Sequence, residues 1–228
     1  STNQLYFGIQ SDSQVLDFTG ANFEASTNLG LYGDSGAMSL ILQDTTFKDV
    51  TSFNMAMCLD SNLSVFDNVS FENMTYDTIV FYECGGSLTF TNSNWNGLSG
   101  NWEWADFYLG QNATLQNITM VGATLGANAG FANMTLSNVD FTNANLSQSE
   151  NQNRFQGTTF DNVVFDGTNL TNMGFVDTDL TGVEFNNAIL TNVDWFNATC
   201  PNGVNSGFSL GTCCGAPLNG AIPALGCE

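Results

Sequence analysis

The sequence predicts an all-β fold, a parallel β-solenoid of about eight coils, and three observations predict it. From Phe155 to Trp195 every fifth residue is large and apolar: Phe155, Phe160, Phe165, Leu170, Phe175, Leu180, Phe185, Leu190 and Trp195. A longer repeat pairs large apolar residues five apart, at Phe18/Phe23, Leu42/Phe47, Phe66/Phe71, Phe90/Trp95, Leu115/Met120, Leu136/Phe141, Phe160/Phe165 and Leu180/Phe185. Its first members lie 24, 24, 24, 25, 21, 24 and 20 residues apart, a spacing that marks repeat architectures. Third, the position two residues after each first member reads Gly20, Asp44, Asn68, Asn92, Asn117, Asn138, Asn162 and Gly182. These residue types tolerate the left-handed backbone of a tight corner.

A period of five suits neither a helix, which repeats at 3.6, nor a strand, which repeats at 2. It suits a chain that turns a corner every five residues and points one large side chain inward per side. Small or β-branched residues precede most of the large ones by two: Thr158, Val163, Thr168, Thr178, Val183, Ala188 and Val193.

Taken in order, residues 1–17 lack the later repeat and read as an N-terminal cap or an assembly strand. Residues 18–199 read as one solenoid rather than two domains, with coils of 20–25 residues that tighten toward the C-terminus. Stacking would align Asp44, Asn68, Asn92, Asn117, Asn138 and Asn162 into a ladder whose amides bond coil to coil. The next residues, Ala21, Thr45, Val69, Ser93, Ile118, Val139, Val163 and Val183, are small or β-branched throughout. Segments 78–82 and 102–108 read as strands on the remaining sides, residues 122–130 as an irregular part of their coil, and Ser147 to Asn153 as a loop leaving the solenoid. Cys58 follows Phe53 by five and Cys84 follows Ile79 by five, so counting by fives puts them at matching places in adjacent coils. Coils stack about 4.8 Å apart, within disulfide reach. Residues 200–228, with Cys200, Cys213, Cys214 and Cys227, read as a cap.

The five-residue units resemble the pentapeptide-repeat family, with its A-[DN]-[LF]-x-x pattern. Thr168-Asn169-Leu170 and Ala188-Ile189-Leu190 carry the likeness, Thr or Val often standing where the family has Ala. The resemblance implies a right-handed quadrilateral β-helix. The longer coils resemble the general right-handed parallel β-helix of pectate lyases and surface adhesins. Cys200-Pro201-Asn202-Gly203 resembles the Cys-Pro-Asp-Gly…Cys tails of secreted cyanobacterial pentapeptide-repeat proteins, with Asn202 where Asp is usual. That likeness implies a disulfide-closed cap, Cys200 pairing with Cys213 or Cys214 and Cys227 with the other.

Composition narrows the function. The net charge is −20, Lys48 and Arg154 are the only basic side chains, and histidine is absent. Nothing is present to neutralise phosphates, which excludes nucleic-acid binding and disfavours anionic membranes. No run is long enough to span a membrane. The cysteines and the start at Ser1 read as a processed, secreted chain. Nine Asn-x-Ser/Thr sequons point the same way. Asn73, Asn112, Asn133, Asn145, Asn169 and Asn197 read as glycan acceptors at turns or coil edges, and Asn68 and Asn117 as hidden in the ladder.

Without histidine there is no Ser-His-Asp or Cys-His arrangement, and no zinc set. Lyases of the β-helix type use Arg or Lys as base, which Lys48 and Arg154 supply poorly. Asp44, Asp49, Asp60, Asp67, Glu72 and Asp77 could supply a glycosidase's two carboxylates, but a solvated acidic face explains them as well. We therefore name no catalytic residue and expect no enzyme. No cofactor is expected; calcium is compatible with the carboxylates, but no site can be named. Trp95, Trp102, Trp104, Phe107 and Tyr108 could stack on sugars, although strand alternation sends some inward. Thr171, Thr181 and Thr191 do not make the flat array over many coils that ice binding needs. The leading expectation is a glycosylated, self-associating structural protein of a cell surface, sheath or extracellular filament. The alternatives are an adhesin that binds carbohydrate, or the acidic DNA mimic and topoisomerase inhibitor that the family resemblance implies.

Overall fold

A computed structural model describes residues 4–9, 15–24, 28–83, 87–100, 106–110, 112–126, 128–148, 155–208 and 211–213. Cys84, Trp102, Trp104, Cys214, Cys227 and most of the 147–153 segment lie outside the described residues.

The chain is a parallel β-solenoid: among the described residues every pair of strands longer than a single bridge is parallel. Asp17 pairs Ile41, Leu42 pairs Phe66, and the column continues through Phe90, Leu115, Leu136 and Phe160. Bridges Thr159–Asp179 and Asp179–Thr199 extend it. The eight steps are 24, 24, 24, 25, 21, 24, 20 and 20 residues, the period read from the sequence.

The wide coils carry a long-stranded side built from Gln4–Ile9, Asn28–Gln43, Phe53–Leu59, Thr75–Glu83, Asp106–Tyr108 and Asn128–Gly130. Strict alternation makes these strands: in Phe53–Leu59, Phe53, Met55, Met57 and Leu59 are buried while Asn54, Ala56 and Cys58 lie outward. After the short strand Thr159–Asp161 the pairing shrinks to single bridges, such as Val164–Glu184, Asn169–Ile189 and Gly174–Asp194, because each side is five residues long.

Within residues 1–17, expected as an N-terminal cap or an assembly strand, Gln4–Ile9 and Val15–Asp17 form sides of the first coil: Gln4–Ile9 pairs Asn28–Gly33, and Val15–Asp17 pairs Ser39–Ile41. Counting by fives could not find them, because a long strand alternates with period two. The same miscount affects Cys58. Phe53 pairs Tyr76 but Asn54 pairs Thr78, so Asp77 is an extra, bulged residue and Cys58 stands opposite Tyr82. Cys58 is disulfide-bonded all the same, and Cys84 lies outside the described residues. Within segment 122–130, Gly122 stands at a corner and Asn128–Gly130 pairs Asp106–Tyr108.

The core is a set of aromatic columns. Phe131, Phe155, Phe175 and Trp195 stack in turn at 5.0, 5.1 and 5.1 Å between ring centroids. Phe141, Phe165 and Phe185 stack at 5.1 and 5.2 Å. The ring spacing follows the coil spacing, so identical residues meet face to face.

The corners carry the second set of columns. Asp44, Asn68, Asn92, Asn117, Asn138 and Asn162 all have φ between 51° and 55°. Asn68 Nδ2 donates to Asp44 Oδ1 at 2.7 Å, Asn117 to Asn92 at 2.9 Å, Asn138 to Asn117 at 3.0 Å and Asn162 to Asn138 at 2.8 Å. One rung departs: Asn92 donates to the Asp67 carboxylate at 2.8 Å instead of Asn68. A charged acceptor within reach outcompetes a neutral amide. At Gly157, φ is 62° and a Cβ would lie 2.6 Å from Asn133 Oδ1, so the coil below fills the room that a side chain needs.

We expect Phe165→Ala to cost about 3–5 kcal/mol, since Phe165 is fully buried between two stacked rings. Asn138→Ala should cost about 1 kcal/mol more than Asn138→Gly, because only glycine accepts the left-handed corner freely. Urea midpoints of the variants check both.

Candidate functional site

The carboxylates weighed above as a glycosidase pair are tied into the framework. Asp44 and Asp49 occupy left-handed corners and accept from Asn68 and Asn73, each at 2.7 Å. Asp60 starts a turn and accepts from the Asn62 backbone at 2.9 Å and its amide at 3.2 Å. Asp67 accepts from Thr91 at 2.6 Å and Asn92 at 2.8 Å, and Glu72 sits 3.4 Å from the Ser70 hydroxyl. The bulge aims Asp77 at Ser52 and Asn54, both of which donate to it. Each carboxylate thus has a local structural role as an acceptor.

Three aspartates are held below the usual carboxylate range. The Thr91 hydroxyl and then the Asn92 amide do this at Asp67. The hydroxyl and then the backbone N–H of Thr19 do it at Asp17, as those of Thr181 do at Asp179. The Asp17 and Asp179 arrangements are Asx turns, an oxygen accepting from the residue two positions on.

Among the described residues, no group of three or more His, Cys, Asp or Glu could hold a metal ion. A cavity of about 20 Å³ lies inside the wide coils, lined by apolar residues including Leu42, Met55, Phe66, Phe90 and Trp95. With no polar partners it would stay dry. Trp95 and Phe107 are buried in the core, so they offer no surface to a sugar. Among the described residues, no helix is long and apolar enough to cross a membrane.

The sequons divide by environment. Asn73, Asn112, Asn133 and Asn197 are exposed at left-handed corners, with Asn73 donating to Asp49 and Asn197 to Asp177 at 2.8 Å. Asn145 and Asn169 are half-buried, and their Oδ1 atoms accept from the hydroxyls of Ser147 and Thr171, each at 2.8 Å. Asn68 and Asn117, expected to be hidden, are exposed: their amides join the ladder, but the ladder runs along the outside of the corners. Asn62 is exposed in the turn after Asp60.

The outward surface holds a column that sequence reasoning missed. Thr89, Thr114, Thr135 and Thr159 stand in register on four successive coils. The wide coils thus do supply a threonine column. The next outward column reads Thr91, Gln116, Ser137 and Asp161, so the threonines form one line and not a flat array. Thr181 is on a different side from Thr171 and Thr191, as its neighbour Gly182 bonds Pro201 while Asn172 bonds Thr191.

The two ends differ. At the C-terminal end Thr199 pairs antiparallel with Asn205, and a disulfide joins Cys200 to Cys213 with Cα atoms 5.3 Å apart. Cys58 is also disulfide-bonded. At the N-terminal end Phe7, Leu16, Phe18 and Phe23 are only partly buried, whereas Leu42 and Phe47 in the next coil are buried fully. Phe7, Phe18 and Phe23 meet edge to face, with Phe18 at 5.2 Å from Phe7 and 5.3 Å from Phe23.

Residues 158–194 match the family model of pentapeptide repeats in eight copies. Among solved structures, the chain is similar to HetL, a pentapeptide repeat protein involved in heterocyst differentiation regulation from the cyanobacterium Nostoc sp. strain PCC 7120. It is 13% identical over 84% of this chain and 90% of that one, with a TM-score of 0.38. It is also similar to trypsin-treated QnrB1, a plasmid-mediated fluoroquinolone resistance protein, at 13% identity over 88% and 87% of the two chains and a TM-score of 0.32. No curated protein matches the chain in sequence.

The Asp67 bonds make a pH prediction. Its carboxyl is lowered from 3.8 in the folded state, so the stability it adds is present above the unfolded value and is lost as pH falls through the folded one. Asp67→Asn should be less stable than the parent at neutral pH, and the gap should close below about pH 4. Urea titrations of both proteins at pH 7 and at low pH measure it.

Proposed function

We propose that this protein is a non-catalytic, extracellular structural solenoid: a stiff, acidic, glycosylated rod of a cell surface, sheath or extracellular matrix. The observation that carries this reading is the covalent closure of the last coil by Cys200–Cys213, with Cys58 also bridged. Such bonds persist in oxidising compartments and are rare in a reducing cytosol. The exposed sequon corners Asn73, Asn112, Asn133 and Asn197 support it as glycan acceptors on the outside of the rod. The role of Asp44, Asp49, Asp67 and Asp77 as hydrogen-bond acceptors of the framework supports the non-catalytic part.

Two other readings carry less. An adhesin that stacks sugars on aromatics loses two of its five candidates, since Trp95 and Phe107 face the core. A mimic of an acidic polymer has the charge of −20 in its favour, yet a cytoplasmic target does not fit a disulfide-closed chain. A supercoiling assay showing inhibition by the oxidised protein would favour that mimic over a structural rod.

Intact mass of native material, before and after thiol alkylation and enzymatic deglycosylation, tests the proposal. We expect no alkylation of Cys58, Cys200 or Cys213 without reductant, and a mass above 24.5 kDa that falls on deglycosylation. A bare 24.5 kDa chain with reactive thiols overturns it. Replacing Cys200 and Cys213 by serine should lower stability by about 3 kcal/mol, the order for a loop of 13 residues, read as an earlier urea midpoint.

A further inference from the structure

We propose that the cavity inside the wide coils is a binding site for one small, neutral, apolar solute, a single heavy atom or a diatomic gas such as dioxygen. The cavity measures about 20 Å³, and Leu42, Met55, Phe66, Val69, Ile79 and Trp95 are among the side chains that enclose it. Each of these six is at most 3% exposed, so the space lies within the core and is not a groove on the surface.

The void has a cause in the packing. One aromatic column begins flat, with Phe23 and Phe47 4.9 Å apart and 8° from parallel. It opens to 5.4 Å and 37° between Phe47 and Phe71, and to 5.7 Å and 50° between Phe71 and Trp95. Trp95 then stands edge-on to Phe90 and Phe107, at 81° and 70°. In the narrow coils the same column is flatter, with Phe141 and Phe165 at 8° and Phe165 and Phe185 at 21°. The bulge at Asp77 also lengthens the wall that carries Ile79. A longer wall around tilted rings leaves a space that no side chain fills, where a core is otherwise close-packed.

Volume and polarity select the occupant. A water needs only about 10–15 Å³, so size admits it, but it also needs about two to four polar partners. The walls are apolar, and the buried indole N–H of Trp95, which has no partner, offers a water one bond at most. A charged ligand is excluded more strongly, because nothing in the lining pairs with it. An apolar solute gives up no hydrogen bonds on entering, and it supplies dispersion contacts to wall atoms that otherwise face empty space. Dry cavities of about 150 Å³ with Leu, Ile and Phe walls take up benzene or xenon. This one is several-fold smaller, which excludes a ring and leaves room for one or two heavy atoms.

Methyl NMR of the full chain under xenon pressure tests this. The expected result is a saturable shift at the methyl groups of Leu42, Met55, Val69 and Ile79, with none at Leu170, Leu180 or Leu190 in the narrow coils. Dioxygen, which is paramagnetic, should broaden the same methyl signals and spare the same controls. Val69→Leu extends a side chain into the space and should weaken the xenon response at least about tenfold, with an unchanged circular dichroism spectrum. Ile79→Ala enlarges the cavity and should admit benzene, which the parent protein excludes, so the test survives if Val69→Leu misfolds. Absence of a saturable shift overturns the proposal. So does an equal response in the narrow coils, a response that Val69→Leu leaves intact, or a resident water detected by its Overhauser contact to the same methyls. The outcome is independent of whether the native chain is secreted or glycosylated.

Discussion

Each coil turns its corners on residues held at positive φ, and the side chains of those residues bond the coil beneath. The rest of the structure depends on this arrangement. An asparagine amide is short, tolerates the left-handed conformation, and carries both a donor and an acceptor, so a column of them repeats at the spacing of the backbone ladder. Once Asn117, Asn138 and Asn162 stand one above another, the strands between corners are forced into parallel register. The inward residues then stack like on like, as Phe141, Phe165 and Phe185 do. Aspartate serves at the corner too, but only as an acceptor, which is why Asp44 and Asp49 end their columns beneath Asn68 and Asn73.

A rod built this way consumes its own polar chemistry. The carboxylates and amides of the corners bond one another, the Asx turns hold Asp17 and Asp179, and the bulge engages Asp77 with Ser52 and Asn54. The sides are left with single columns of small polar groups and acidic charge, and no cleft in which groups converge was found among the described residues. What distinguishes one region from another is the layer around it: partly buried aromatics at Phe7, Phe18 and Phe23, and a reversed pairing and a disulfide at Thr199–Asn205 and Cys200–Cys213.

Much of this was legible where five-residue spacing governs. The inward column from Phe18 through Leu42, Phe66, Phe90, Leu115, Leu136 and Phe160 to Leu180 could be counted from the sequence, since each first member sits just before a corner and corners have strong residue preferences. Counting failed on the long strands. There the side-chain period is two, a bulge at Asp77 shifts the register by one, and Cys58 comes to face Tyr82. The same cause hid the membership of Gln4–Ile9 and Val15–Asp17 in the first coil. The departure of Asn92 to Asp67 was also invisible, because adjacent acceptors compete by geometry and charge, not by position in a repeat.

The sequence by itself determined the coil, its length and its corners, because these are local: a few residues decide whether the backbone can turn and which side chain points inward. Only the tertiary structure decided what the column neighbours do. Whether a sequon asparagine is exposed, whether Trp95 faces sugar or core, which cysteine closes the last coil, and whether the first aromatic layer is covered all depend on residues some 20 or more positions away, or on the chain's ends. A repeat specifies its own unit. The contacts between units, and the surfaces left where units stop, arise only when the coils are stacked.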